Sequence, residues 1–197
     1  MFRQELMGCF TRRPDALFEL TDAVLATGPV LSLPHLSLDP LHRRGHGSVY
    51  AALAKGEINT GALRDMPARR LDQRPAVFAL DVSCWARGDA ECSPSRGFSY
   101  HPTRHSAGKP IIAGWAFSWL AGLELTTNSW TAPLEVVRLL PGASINAAAA
   151  AQILRLLSRL PDTSGRFPLF VFDGGYDPIR LALALVATPV DQRALGS

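Results

Sequence analysis

The sequence predicts an α/β fold: a mixed sheet of four strands in the order three-two-one-four, preceded by a helical N-terminal region. Three observations carry this. Two short apolar runs, Ala76–Ser83 and Leu169–Phe172, are rich in aromatic and β-branched residues and have the length of buried strands. Gly114–Leu125 alternates, with Trp115, Phe117, Trp119, Ala121 and Leu123 on one face. Finally, Ile145–Leu160 has helical spacing and lies between the third and fourth strands, a crossover long enough to bring the fourth parallel to the first.

A chain of 197 residues, 47% hydrophobic and 19% charged, has the composition of a core-forming globular protein of one domain or slightly more. Residues Phe2–Leu25 read as helical, because Leu6, Phe10, Leu17, Leu20 and Val24 recur at helical spacings; Pro14-Asp15 marks a fresh start. A second short segment runs over Leu36–Leu53. Asp65–Pro75 is a polar joint bearing arginine and proline, so the expected division is 1–72 for the helical region and 75–197 for the sheet domain. The segment Trp85–Pro110 reads as a long irregular loop. The alternation of Gly114–Leu125 makes a strand whose aromatics are expected in the core. Thr126–Asn128 turns the chain, and Trp130–Leu140 returns as an edge strand, since a central strand does not tolerate Pro133. Ser144 is placed to cap the crossover helix, Pro161–Arg166 leads into the fourth strand, and Pro178–Val186 forms a last helix with proline in its first turn. Pro189-Val190 is positioned to begin a further strand.

The chemistry gathers where the first and fourth strands end. Asp81 lies near the end of one apolar run and Asp173 closes the other, followed by Gly174-Gly175-Tyr176-Asp177. Parallel neighbours lie roughly 5 Å apart, so the two carboxylates would face one small volume. Like charges that close repel, and a divalent cation is the usual remedy. Asp177, directly before Pro178, reads as a helix cap and not as a ligand. A first and a fourth strand bearing acids that meet, in this strand order, make the opening half of a ribonuclease H-like fold, incomplete as it stands.

The net charge is +3, and of 20 basic residues only Lys55 and Lys109 are lysines. Arginine suits phosphate recognition through its fixed fork of donors. Arg43 and Arg44, beside Gly45 and Gly47, suit a phosphate-contacting turn, and Arg104, His105 and Lys109 in the long loop are candidate substrate contacts. His42 and His46 are four apart, but the glycines beside them argue against a rigid metal-binding helix. Cys9, Cys84 and Cys92 are odd in number and lack metal-site spacing, which excludes a disulfide framework. The longest apolar stretch, Ile111–Leu125, is too short and too polar for a membrane span, and the N-terminus lacks the apolar core of a secretory signal.

Several segments together also resemble a known family. Phe2–Leu6, Leu17–Ala23, Leu36–Gly47, Asp81-Val82-Ser83 with Trp85, Ile112–Ser118, Ser129–Ala132 and Asp173–Asp177 are similar, in order, to transposases of bacterial insertion sequences, in the DDE superfamily. The resemblance implies metal-dependent DNA strand cleavage and strand transfer. It makes Asp81 and Asp173 the first two catalytic and metal-holding acids, with Mg2+ or Mn2+ as cofactor. It implies the ends of an insertion sequence and target DNA as partners, self-association or association with a full-length transposase, and a bacterial cytoplasmic, nucleoid-associated location. The family's third acid is a glutamate on a later helix, and neither Glu nor Asp follows Asp191. The chain is therefore expected to be the N-terminal portion of a longer transposase, inactive alone. Two other readings compete. One is a haloacid dehalogenase-like phosphatase with Asp81 as nucleophile, which would want a second aspartate where Ser83 stands. The other is a non-catalytic remnant that binds DNA through residues 1–70.

Overall fold

The computed structural model describes residues 2–71, 77–93, 95–100, 111–124, 131–160 and 167–187. The chain divides into two compact units, Met1–Met66 and Pro67–Ser197.

In the first unit the elements run α1 (Phe2–Gly8), β1 (Phe10–Arg12), α2 (Pro14–Ala26), α3 (Leu33–Leu36), α4 (Gly47–Lys55), β2 (Glu57–Ile58) and α5 (Thr60–Ala68), which crosses the division. The expected single helix over Phe2–Leu25 is interrupted. Phe10–Arg12 is a strand paired antiparallel with Glu57–Ile58, and Arg13 takes a left-handed conformation (φ 54°) before Pro14 restarts the helix. Phe10 falls at a helical spacing but is buried from the strand: its ring meets Phe18 edge-on and packs with Leu17, Leu20, Ala23, Leu36, Val49 and Ala52. The expected segment Leu36–Leu53 likewise divides into the short α3 and the later α4. A β-carbon at Gly56 would lie 2.3 Å from the Ala52 carbonyl oxygen and 2.8 Å from Leu17 Cδ1, so only glycine ends α4 here.

In the second unit come β3 (Val77–Ala86), β4 (Gly97–Tyr100), β5 (Ile111–Leu123), β6 (Thr131–Leu139), α6 (Ile145–Leu157), β7 (Leu169–Phe172) and α7 (Pro178–Ala187). β3 is central, antiparallel to β5 and parallel to β7, while β6 pairs β5 on its other side. The order β6-β5-β3-β7 is the three-two-one-four expected from sequence, compatible with a ribonuclease H-like fold. The long loop expected over Trp85–Pro110 hides a strand: β4 pairs the first residues of β5, Ile111–Gly114, on the edge that β6 takes from Ala116 onward. Gly114 lies where three strands meet. A β-carbon there would fall 1.9 Å from the Trp85 carbonyl oxygen, so the ladder needs glycine. Pro133 sits on an edge strand as expected, and the register slips beside it: Leu120 faces Glu135, but Ala121 faces Pro133.

Helices α6 and α7 cover one face of this sheet. Phe78, Leu80, Leu120 and Leu134 meet Ala149, Ala150, Ile153, Leu156 and Leu181 there. Ser144 caps α6, accepting from the Ala147 amide. Two fully buried polar groups fix α6 to β5: Ser118 Oγ donates to Gln152 Oε1 at 2.6 Å, and Gln152 Nε2 donates to the Ser118 carbonyl at 3.3 Å. The aromatics of β5 are not in this core. By alternation Trp115, Phe117 and Trp119 point to the face opposite Ser118 and Leu120, and they are half-buried. On that face Trp85 packs on Phe117, Arg87 and Arg138 flank the Trp115 ring, and Trp119 Nε1 donates to Ser83 Oγ. The expected turn Thr126–Asn128, the loop Pro161–Arg166 and the strand at Pro189-Val190 lie outside the described residues.

Candidate active site

The parallel ladder between β3 and β7 fixes the geometry. Its register runs Val77↔Leu169, Phe78↔Phe170, Ala79↔Val171 and Leu80↔Phe172, and stops there. The next residue on each strand is an aspartate, Asp81 on β3 and Asp173 just past β7. Neighbouring strands in a sheet lie about 4.8 Å apart, so the two carboxylates leave from adjacent points. Leu80 and Phe172 pack into the core under α6 and α7. Asp81 and Asp173 are both exposed.

Each acid is held by its own backbone surroundings. Asp81 Oδ1 accepts from the Val82 amide at 2.7 Å, and Asp173 Oδ1 accepts from the Gly175 amide at 3.0 Å. Among the described residues the second oxygen of each accepts no hydrogen bond. Among the described residues neither acid forms an ion pair, and no third His, Cys, Asp or Glu joins them in a metal-binding group. Two hard oxygen donors, side by side and without a cationic partner, suit Mg2+ or Mn2+ with water completing the coordination. Among the described residues no cysteine or histidine cluster offers a site for a softer metal.

Beneath the pair lies a residue that the sequence reading passed over. Tyr176 is 8% exposed, and its ring packs on Phe172 with centroids 5.1 Å apart. Its amide donates to the Asp173 carbonyl at 3.4 Å, closing the turn through Gly174-Gly175. The hydroxyl is buried and lies near Ser118, yet it closes no hydrogen bond of sound geometry among the described residues. Burial, opposed by neighbouring Ser118 but aided by the charges of Asp81 and Asp173, pushes its pKa up to about 12. A tyrosine in the turn directly after a strand-end acid is the one signal that could have singled it out.

Asp177 has the role of a cap. Its Oδ1 accepts from the Ile179 and Arg180 amides at 3.0 and 3.1 Å, and its carbonyl accepts from Leu181. Asp177→Ala should therefore cost roughly 1 kcal/mol of stability and leave metal affinity within about twofold of wild type. Chemical denaturation and a Mn2+ titration check this; an affinity loss matching that of Asp173→Ala would make Asp177 a ligand instead.

In the N-terminal unit Arg43 is exposed, and Arg44 Nε lies 3.2 Å from Glu19 Oε2, which partly commits it to α2. His42 and His46 do not come together on a metal: His42 Nε2 bonds Ser48 Oγ, and His46 Nδ1 bonds Ser37 Oγ. Arg104, His105 and Lys109 lie outside the described residues. The three cysteines are free thiols, and no described helix is long and apolar enough to cross a membrane.

The model of one protein family, described as DDE superfamily endonuclease, matches residues 5–192. Neither the curated proteins nor the solved structures provide a match. The match spans nearly the whole chain, and the chain belongs to the DDE superfamily endonucleases.

Proposed function

We propose that this DDE superfamily endonuclease is a portion of an insertion-sequence transposase, in which Asp81 and Asp173 are the first two acids of a metal-dependent site for DNA strand cleavage and strand transfer. One observation supports this above the others: the β3–β7 ladder ends at Leu80↔Phe172 and so sets two exposed carboxylates next to each other, with no ion pair to either among the described residues. A divalent cation, when bound, supplies Lewis acidity and lowers the pKa of bound water toward neutrality. The chain's own residues hold and aim. Backbone amides fix one oxygen of each aspartate, the exposed strand ends admit a phosphodiester, and Asp177 stays in the α7 cap. We assign affinity for the DNA backbone to Arg43, Arg44, Arg104, His105 and Lys109. Such contacts act without sequence readout and weaken steeply with salt.

Two carboxylates hold a dication loosely, and the described residues bring no third to them. A third acid from outside the described residues completes the set in this reading, and the pair without it binds metal weakly and cleaves little. The phosphatase alternative is disfavoured by the antiparallel β5 and β6 beside the first strand and by the family of the chain.

The test is nicking of supercoiled plasmid with Mg2+ or Mn2+. The chain alone should bind duplex DNA in a salt-dependent way and leave the plasmid intact. Adding the glutamate-bearing segment of a related full-length transposase should bring metal-dependent nicking, and Asp81→Asn or Asp173→Asn should abolish it. Nicking that persists in both variants would remove the two aspartates from the chemistry.

A further inference from the structure

Helices α6 and α7 cover one face of the sheet, and the other face carries side chains that the acid pair does not account for. Cross-strand partners share a face. The β3–β5 register therefore puts Asp81 with Trp119, Ser83 with Phe117 and Trp85 with Trp115 on the face away from the helices. Two contacts agree with this. Trp119 Nε1 donates to Ser83 Oγ at 2.7 Å, and the Trp85 and Phe117 ring centroids are 5.0 Å apart. From Asp81 to Trp85 the row runs four residues along β3, about 13 Å. At its far end Trp85 is 54% exposed, and Phe98, opposite Ala113 on the other side of β5, is 78% exposed. Trp115 stands on the strand between them, with the Arg87 and Arg138 guanidinium carbons 5.2 and 4.8 Å from its ring centroid. Arg87 also pairs with Asp89, and Arg138 reaches the Ser95 carbonyl, which holds both cations beside the ring.

The charges at the two ends decide what suits this face. An apolar cover, such as the same face of a second copy, would bury both guanidiniums and the Asp81 carboxylate, and a charge buried without its counter-charge is strongly destabilising. A nucleic-acid strand matches each part. Unpaired bases stack on exposed aromatic rings, and phosphates answer arginines. A strand in B-form advances about 3.4 Å per nucleotide, so the row from Asp81 to Trp85 is about four nucleotides long.

We infer that the open sheet face is a stacking platform for single-stranded DNA: the few nucleotides beside the scissile phosphodiester lie unpaired along β3, with bases on Trp85 and Phe98 and phosphates near Arg87 and Arg138. This rests on the reading of Asp81 and Asp173 as the cleavage site. Such stacking tolerates any base and is denied to a closed duplex, whose bases are already stacked on one another.

The experiment measures fluorescence anisotropy in EDTA, with a labelled short oligothymidylate and with a blunt duplex of the same length. Trp85→Ala should weaken single-strand binding about tenfold and duplex binding by no more than about twofold. Trp85→Phe, which keeps a ring, should recover most of the loss. Phe98→Ala, at an exposed residue, should also weaken the single strand selectively, and it decides the matter should Trp85→Ala not fold. Leu183→Ala, on the exposed side of α7, is the control and should leave both affinities unchanged. Unchanged single-strand affinity in Trp85→Ala and Phe98→Ala overturns the inference, and so does an equal loss for single strand and duplex. A chain that sediments as a dimer, and as a monomer once Trp85 is alanine, with single-strand affinity unchanged, gives the face to a second copy and overturns it too. The cleavage reading fails by a different sign, nicking that survives in both Asp81→Asn and Asp173→Asn, whereas stacking is measured without metal.

Discussion

Asparagine in place of Asp81 or Asp173 should raise the melting temperature of the metal-free protein while removing its response to Mg2+. Two negative charges about 5 Å apart in a water-exposed setting repel by roughly 1 kcal/mol. For a chain of this length that corresponds to about 2–4 °C. Asparagine suits the test because it keeps the oxygen that accepts from the Val82 or Gly175 amide, so the turn geometry survives the change. The double variant should melt no higher than either single one, since neutralising one acid already removes the repulsion; acids that do not feel each other would give gains that add. Mg2+ should stabilise the wild-type chain and none of the three variants. A dication about 4 Å from one carboxylate in water gains about 2 kcal/mol, so each single loss should weaken affinity by about thirtyfold. Scanning calorimetry with and without Mg2+ reads all of this. Single variants that melt lower than wild type, or a double variant whose gain is the sum of the singles, would mean that the carboxylates are not neighbours.

The adjacent strand ends that carry Asp81 and Asp173 were legible from sequence because they rest on the two simplest signals, apolar runs of strand length and an acid where each run stops. The strand order followed from crossover length, and the edge position of β6 from Pro133. Other features left no such mark. β4 has only four residues, Gly97–Tyr100, and no apolar run, so it vanished into the segment read as a loop. The break at Cys9–Arg13 was hidden because Phe10, buried on the strand, also falls at a helical spacing from Leu6 and Leu17. The face of β5 was misjudged for a related reason. Alternation reveals two faces but not which one the helices cover, and the larger side chains, Trp115, Phe117 and Trp119, are on the face away from α6 and α7. The buried face is held instead by small or polar members, Gly114, Ser118 and Gly122, whose neighbours supply the bulk. Tyr176 was missed because its burial against Phe172 is set by the turn after β7, which no spacing in the sequence exposes.

Phe78→Ala should destabilise the second unit by about 3–5 kcal/mol, the usual cost of truncating a fully buried phenylalanine. Phe78 is 0% exposed on the central strand, three residues before Asp81. Its ring stacks on Phe170 of β7 with centroids 5.3 Å apart, and its cross-strand partner on β5 is Gly122. A β-carbon on Gly122 would stand 3.9 Å from Phe78 Cε1, so the ring covers the space a side chain there would take. Alanine thus opens a cavity bounded by β5, β7 and the helices at once, with little nearby that can collapse into it. Whole domains are stable by about 5–15 kcal/mol, so this one change removes a large fraction of the total. Phe78→Leu keeps most of the volume and should cost about 1.5 kcal/mol or less. Phe98→Ala, at a residue 78% exposed, should stay within about 0.5 kcal/mol. Urea denaturation followed by tryptophan fluorescence isolates the effect, because all four tryptophans, Trp85, Trp115, Trp119 and Trp130, belong to the second unit. The Mg2+ response should fade together with the fluorescence transition, since the β3–β7 register that sets Asp81 beside Asp173 is anchored by the same stacked pair. A Phe78→Ala variant that unfolds within about 1 kcal/mol of wild type would show that the strand register, and with it the acid pair, is held by something other than this core.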